Sequence, residues 1–139
     1  MNEPPEHLQL LRQWVGKADE DLRTAEHILT LEEACPFSSV CFHAQQCVEK
    51  YLKALLLSHN TPFGRTHDLV RLYDLLAEQH RRLLDVEELA VLNRYAVEAR
   101  YPGDWEPIDR KEAEFAVGLA LRTRNDVRAV LSEELRLNE

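Results

Sequence analysis

An apolar stripe near the start of the chain constrains the fold most strongly. Between about Leu8 and Leu31, apolar residues recur in alternating steps of three and four, at Leu8, Leu11, Val15, Ala18, Leu22, Ala25 and Leu29. This spacing places all of them on one face of an α-helix. Such a stripe is typical of a helix in an antiparallel bundle, or of a coiled-coil-like seam.

A second long helix is predicted from about Pro36 to His59. Proline suits the first turn of a helix, and a loop rich in Asn, Pro and Gly follows the segment. The apolar stripe of this helix consists of Cys41, Ala44, Val48, Tyr51, Leu52 and Leu55.

Three further helices are predicted in the second half of the chain. One begins near Thr66 or His67 and fades in the charged stretch 78–82. The pattern Asp-x-x-Glu, a capping-box signal with Asp in place of Ser or Thr, opens helices at Asp85 and Asp109. The last helix runs to about residue 135 and carries Arg124 on its apolar face.

These segments and the composition together predict the architecture. The chain of 139 residues has only four glycines and is rich in helix-forming Leu, Ala, Glu and Arg. The connections are short, which favours neighbouring antiparallel helices. We therefore expect an all-α, up-and-down bundle of four or five helices, with a single domain over residues 1–139 and a core over about 8–135.

Charge and hydropathy limit the classes of partner. The formal net charge is −8, so general nucleic-acid binding would require a local basic groove. No apolar run approaches the roughly 20 residues of a membrane span, and the acidic N-terminal stretch has no signal-peptide pattern. We expect a cytoplasmic protein with no membrane partner.

Signatures of metal and cofactor sites are missing from the sequence. It has no Gly-rich phosphate loop, no C-x-x-C pair and no H-E-x-x-H motif. The three cysteines, Cys35, Cys41 and Cys47, are odd in number and are best interpreted as free, mostly buried thiols. His43 and Cys47 share a helix face, but two ligands do not make a zinc site. We predict no metal and no cofactor.

Polar residues form a band beside the stripe of the second helix, in the stretch FHAQQCVEKYLK. The band is either a functional site or the solvated face of an amphipathic helix. We predict that Gln45, Gln46 and Glu49 organise the polar interior of the bundle. Lys50 and Lys53 are the better candidates for contact with a bound molecule, because an ammonium group can meet a phosphate.

Two other positions could belong to the same site. His67, at the start of the third helix, could point into a groove, although its neighbours Thr66 and Asp68 could simply cap that helix. Arg100 could hold a phosphate or carboxylate in its guanidinium fork, or cap the end of its own helix. Tyr101 could stack on a ligand or donate a hydrogen bond.

Taken together, three stretches resemble the HEPN domain family. FHAQQCVEKYLKALLL is similar to the signature helix of that family, THDLVRLYDLL to the helix that follows it, and ARYPGDW to its R-Y-P turn. The amino-terminal KADEDLRTAEHIL also resembles the first HEPN helix, with Ala18, Asp21, Leu22 and Ala25 at the matching positions. The resemblance covers about residues 8 to 135.

The resemblance implies a helical bundle that commonly forms homodimers. It also implies a two-component module, often of toxin–antitoxin type, in which the partner is a minimal nucleotidyltransferase. Some HEPN branches are metal-independent ribonucleases that use an Arg and a His separated by four to six residues. No Arg in this sequence precedes a His at that spacing, and no His follows Arg100. We therefore predict no catalytic residues of that type.

Three functional hypotheses follow from the resemblance. The favoured one is a non-catalytic binding module that pairs with a nucleotidyltransferase and contacts a nucleotide through Lys50, Lys53, His67, Arg100 and Tyr101. The first alternative is an RNA-cleaving toxin with an atypical site, in which His67 is the general base and Arg65 or Arg100 stabilises charge. The second alternative is a structural scaffold that dimerises through its first helix.

Overall fold

Three long helices dominate the fold in a computed structural model, which describes residues 5–96 and 107–135. The helices are α1 (Pro5–Leu29), α2 (Phe37–Ser58), α3 (Leu69–Leu75), α4 (Glu78–Arg81), α5 (Val86–Leu92) and α6 (Arg110–Leu135), with a 3-10 turn at Asn93–Tyr95. No strand occurs within those two ranges, and the predicted all-α class is confirmed.

Helices α1 and α2 run antiparallel and form the most extensive interface of the bundle. Two contacts show this direction. Trp14 in the first half of α1 meets Lys53 near the end of α2, whereas Asp21, further along α1, meets His43 near the start of α2. Helix α6 packs against both, and α3, α5 and the 3-10 turn lie against α2. As a result, α2 is the central helix, and its polar band is bordered by other elements.

The predicted apolar stripes form the core. On α1, the middle of the stripe is buried, and Leu8 and Leu29 at its ends are partly exposed. All six stripe residues of α2 are buried. Full burial of a Leu-sized side chain stabilises a fold by about 1.5–3 kcal/mol, so this periodic packing is the main favourable term.

Aspartates begin three helices, in two cases at the positions that the sequence predicts. The Oδ1 atom of Asp85 accepts from the Glu87 backbone N–H, and that of Asp109 from the Glu112 N–H, both at 2.9 Å. The reciprocal half of the capping box is replaced by tertiary contacts, because the Glu88 side chain pairs with α6 and that of Glu112 accepts from a tyrosine. Asp68 caps α3 in the same way.

The later short helices differ in detail from the prediction. The third helix ends at Leu75, and the charged stretch forms a separate short helix, α4, that begins at Glu78. The fourth predicted helix becomes α5 followed by the 3-10 turn. His80 of α4 is buried beside the ring of His59, so the charged stretch has a packing contact that a charge pattern alone does not reveal.

The connection between α2 and α3 is fixed by a Schellman motif at the end of α2. Asn60 adopts a left-handed conformation, with a φ of 55°. The N–H of Asn60 donates to the Leu57 carbonyl, and the N–H of Thr61 donates to the Leu56 carbonyl, both at 2.9 Å. Gly64, with a φ of 70°, makes a second left-handed turn. These two turns return the chain over α2 and bring its next residues to the polar band.

Arg110 closes the other end of the bundle. Its guanidinium donates at 2.9 Å to the carbonyl of Leu29, the last residue of α1, where helix carbonyls lack intrahelical partners, and at 2.7 Å to the carbonyl of Leu31 in the loop that follows. The same group lies 5.1 Å from the ring centre of Phe37. None of the helices in the described ranges has the length and apolar character that a membrane crossing requires.

Candidate functional site

Two ion-pair clusters divide the polar band of α2. The Glu49 cluster consists of Gln45, Glu49, Lys53 and His67, and the Asp21 cluster consists of Asp21, His43 and Lys50. The first joins α2 to the segment before α3, and the second joins α2 to α1.

Glu49 is a buried carboxylate with two basic partners. Its side chain is 4% exposed and accepts a 3.0 Å hydrogen bond from Nζ of Lys53, one helical turn further on. Nδ1 of His67 lies 3.0 Å from Oε1 of the same carboxylate. A buried charge is tolerated only when it is paired and hydrogen-bonded, and both conditions hold for Glu49. Gln45 is also fully buried, so the predicted interior role of these two residues is confirmed.

Lys53 is enclosed by aromatic rings. Its Nζ lies 5.6 Å from the ring centres of both Trp14 and Phe63, which meet edge to face. A cation at this distance from a ring face is stabilised by the ring quadrupole. Because Lys53 is only 5% exposed, a bound molecule would reach its ammonium group only if these rings moved.

His67 is the outward-facing member of the Glu49 cluster. Its side chain is 69% exposed, although Nδ1 is held by the buried carboxylate of Glu49. In a neutral imidazole that donates its Nδ1 proton to this carboxylate, Nε2 carries the free lone pair on the opposite side of the ring. The arrangement can accept a hydrogen bond from a ligand or take up a proton from one.

Amide side chains position the backbone around His67. Nε2 of Gln45 donates to the His67 carbonyl at 3.2 Å, and Nε2 of Gln46 donates to Oε1 of Gln45 at 2.7 Å. On the other side, Nδ2 of Asn93 donates to the capping carboxylate of Asp68 at 2.8 Å, and this bond lowers the pKa of Asp68. The histidine is therefore held by α2 and by the 3-10 turn.

The Asp21 cluster places one carboxylate between two basic groups. Oδ1 of Asp21 lies 2.9 Å from Nδ1 of His43, and Oδ2 accepts a hydrogen bond from the Lys50 ammonium. Asp21 is mostly buried, and about a quarter of the Lys50 side chain is exposed. Asp21 therefore fixes the position of a cation that remains accessible.

A surface groove of about 630 Å³ borders this cluster. Its charged and titratable lining residues are Lys17, Glu20, Asp21, Arg23, His27 and Lys50. This volume falls in the range of small-molecule sites. Three permanent cations and two carboxylates line it, so the groove is locally basic in a chain that is acidic overall.

A third cluster joins α1, α2 and α6 and was not predicted from the sequence. Asp19 accepts hydrogen bonds from the Tyr51 hydroxyl, from Nε of Arg124 at 3.1 Å and from a terminal nitrogen of Arg128 at 3.0 Å. Burial and the bond to Asp19 raise the pKa of Tyr51. The signal in the sequence was Arg124, a charged residue on an apolar stripe.

Two of the three cysteines, Cys41 and Cys47, lie on α2. Cys41 and Cys47 are fully buried, as predicted. Burial, with the charge of Asp21 as a second cause, raises the pKa of the Cys47 thiol well above its usual range. A protonated thiol is a poor nucleophile and a poor metal ligand. In the part of the chain that the structure describes, no group of three or more His, Cys, Asp or Glu side chains could hold a metal ion.

Comparison with known proteins identifies the bundle. The family model described as "HEPN domain" matches residues 11–130, which include both ion-pair clusters. The chain belongs to the HEPN domain family. No protein with a curated description matches this HEPN domain.

Two solved structures share the fold of this HEPN domain. The crystal structure of TT1696 from Thermus thermophilus is 32% identical in sequence, with a TM-score of 0.70, over 86% of this chain and 96% of that one. The crystal structure of ST0689, an archaeal HEPN homologue, is 22% identical, with a TM-score of 0.68, over 87% of this chain and 97% of that one.

Three of the five predicted ligand residues of the HEPN domain lie in the described ranges. Lys53 and His67 meet at Glu49, whereas Lys50 belongs to the Asp21 cluster and lines the groove. Arg100 and Tyr101 lie outside the described residues, so their place in the site stays a prediction.

Proposed function

We propose that this HEPN domain is a non-catalytic binding module that holds the phosphates of a nucleotide in the groove beside Lys50. The observation that carries the proposal is that Lys50 is fixed by Asp21 and still exposed to a locally basic groove. A lysine held in this way meets a phosphate with little loss of side-chain entropy. An acidic chain repels phosphate in general, but the groove offers it a local excess of cations, so phosphate binding there is compatible with the net charge.

We further propose that the domain works in a two-component module with a minimal nucleotidyltransferase. The support is membership of the HEPN family together with the sequence motifs that resemble its nucleotidyltransferase-associated members. In such a module, the groove would present a nucleotide or contact the partner's own site. Homodimer formation belongs to the same proposal.

Replacing Lys50 by Met is expected to weaken the binding of a nucleoside triphosphate. The loss of one charge-assisted contact of about 1.5–3 kcal/mol corresponds to roughly 10- to 100-fold in Kd. Isothermal titration of ATP and GTP into wild type, Lys50→Met and Arg100→Ala measures this. Lys111→Met is the matched control, because Lys111 is an exposed lysine outside the groove lining. Equal affinities of wild type and Lys50→Met would place the nucleotide elsewhere, and no binding by wild type would reject the nucleotide part of the proposal.

Association with a nucleotidyltransferase is expected to survive the Lys50→Met change if partner binding and nucleotide binding use separate surfaces. The measurement is co-purification with a minimal nucleotidyltransferase expressed together with this chain, followed by the mass of the complex in solution. A domain that stays free in the presence of that protein would contradict the two-component proposal and leave the nucleotide proposal intact.

A second function, RNA cleavage, is favoured by the geometry of Glu49 and His67. A buried carboxylate 3.0 Å from Nδ1 of an exposed histidine orients Nε2 as a general base, which could take the proton of a ribose 2′-hydroxyl. Arg65, two residues earlier, or Arg100 would stabilise the developing charge.

The cleavage hypothesis predicts that His67→Ala abolishes RNA degradation and growth arrest on expression. Loss of a general base reduces rates by about 10²–10⁴-fold. The measurement is cleavage of total RNA by purified wild type, His67→Ala and the control His59→Ala, which removes an exposed histidine outside the groove and the Glu49 cluster. Intact RNA after incubation with clean wild-type protein, or equal cleavage by His67→Ala, would reject this function.

A further inference from the structure

The cavity between α1 and α6 is a second basic surface, which shares only Arg23 with the groove beside Lys50. It has a volume of about 360 Å³, and its charged lining residues are Asp19, Arg23, Glu26, Arg124 and Arg128. Three guanidinium groups thus face two carboxylates. This excess of positive charge is unexpected in a chain with a net charge of −8.

Asp19 compensates only part of this charge. Its two oxygens bind Nε of Arg124 at 3.1 Å and a terminal nitrogen of Arg128 at 3.0 Å. The two arginines are four residues apart on one face of α6, where like charges destabilise a helix. One carboxylate can neutralise one of them, and the other remains an uncompensated cation.

The remaining donors of these arginines are available to a ligand. Among the described residues, the terminal nitrogens of Arg124 make only one contact, at 3.5 Å to the side chain of its neighbour Asn125. In that same set, Arg128 donates through one terminal nitrogen only, which leaves its other terminal nitrogen open, whereas its Nε is buried and out of reach of a ligand. About 30% of each side chain is exposed, so their outer edges reach solvent.

Arg23 supplies a third guanidinium at the border of the cavity. It is exposed, and within residues 5–96 and 107–135 it has neither an ion pair nor a hydrogen bond. A purely structural role would explain the Asp19 contacts, because they join three helices. It would not explain a third arginine without a partner beside an open cavity.

We propose that this cavity is a binding site for a phosphate-type oxyanion, held by Arg23, Arg124 and Arg128. Guanidinium groups bind tetrahedral oxyanions through paired N–H donors, and three of them converge here around a space suited to phosphate or diphosphate. Asp19 acts as the positioning residue, since it fixes two guanidiniums while leaving their outer donors open. The site would take either a small free anion or a phosphate of a larger molecule.

The test is titration of inorganic phosphate and diphosphate into the full chain, followed by calorimetry and by the shift in Tm. Wild type should bind diphosphate and be stabilised by it, and Arg23→Gln should bind about tenfold more weakly. Arg23 is exposed and makes no described contact, so this variant is expected to fold. Arg122→Gln is the control, because Arg122 lies on α6 near Arg124 but pairs with Glu88 instead.

Two further variants test the guanidinium fork and the separation of this cavity from the Lys50 groove. Arg128→Lys keeps the charge and loses the fork, so it should also weaken binding. Lys50→Met removes the phosphate contact proposed for the groove, so diphosphate that this variant still binds reports the cavity between α1 and α6, and adding Arg128→Lys to it should weaken that binding. A short single-stranded RNA titrated in parallel identifies the source of the phosphate: stronger binding of RNA than of diphosphate assigns the site to a polymer backbone. No binding of diphosphate or RNA, wild-type affinity in both Arg23→Gln and Arg128→Lys, or loss of binding in Lys50→Met would overturn the proposal.

Discussion

Glu49→Gln is expected to lower the free energy of unfolding by about 3–5 kcal/mol, the range measured when one partner of a buried ion pair is removed. The reason is Lys53, whose ammonium is buried beside Glu49 at 3.0 Å. Without the carboxylate, that charge keeps a neutral amide and the rings of Trp14 and Phe63 as its favourable neighbours among the described residues. Cation–π contacts of about 1–2 kcal/mol do not replace a full counter-charge.

Chemical denaturation of wild type, Glu49→Gln and the double variant Glu49→Gln/Lys53→Met measures this effect. The double variant should be more stable than the single one, since replacing both members of a buried pair is far less costly than breaking it. Glu78→Gln is the control, because Glu78 makes an exposed pair with Arg82 at the same helical spacing. Its change should stay below about 1 kcal/mol. A loss below about 1 kcal/mol in Glu49→Gln would show that Lys53 is hydrated despite its burial.

The helices could be predicted from the sequence because their signals are local. The stripe from Leu8 to Leu29 has the period of a helix face, and its middle residues form the core as predicted. The Asp-x-x-Glu pattern also located the start of α5 and of α6, since a carboxylate before a helix satisfies free N–H groups wherever the helix packs.

The site could be predicted only in part because its contacts join residues that are distant in sequence. Gln45 and Glu49 are buried as predicted, and Gln46 is partly exposed. Lys53 was expected to face a ligand. It turns inward because Trp14 from α1 and Phe63 from the loop after α2 meet over it. Neither ring can be assigned to Lys53 before the packing of α1 on α2 is known.

The cluster of Asp19 with Tyr51, Arg124 and Arg128 could be predicted even less well from the sequence. Asp19 and Arg128 lie near opposite ends of the sequence, and Asp19 is not one of the positions that match the first HEPN helix. Arg124 was visible as a charge on an apolar stripe, which is costly unless a partner exists. The sequence could therefore indicate that a partner was needed, although it could not identify which acidic residue of the bundle supplies it.

Asp19→Ala is expected to lower the free energy of unfolding by about 2–3 kcal/mol. The largest part comes from Tyr51, a fully buried residue whose hydroxyl would lose its acceptor, at a cost of about 1–3 kcal/mol. The two arginines contribute less, because they are about 30% exposed and water can replace the carboxylate.

A double-mutant cycle with Tyr51→Phe separates these contributions. In the Phe background, no hydroxyl is left unsatisfied, so Asp19→Ala should cost at least about 1 kcal/mol less than in wild type. The control is Glu20→Ala, which removes an exposed carboxylate from the next position of α1 and should change stability by less than about 1 kcal/mol. Strict additivity of the Asp19 and Tyr51 changes would contradict the hydrogen bond as the main term. The stability of the α1–α2–α6 junction would then depend on Arg124 and Arg128, and an oxyanion in their cavity could substitute for Asp19.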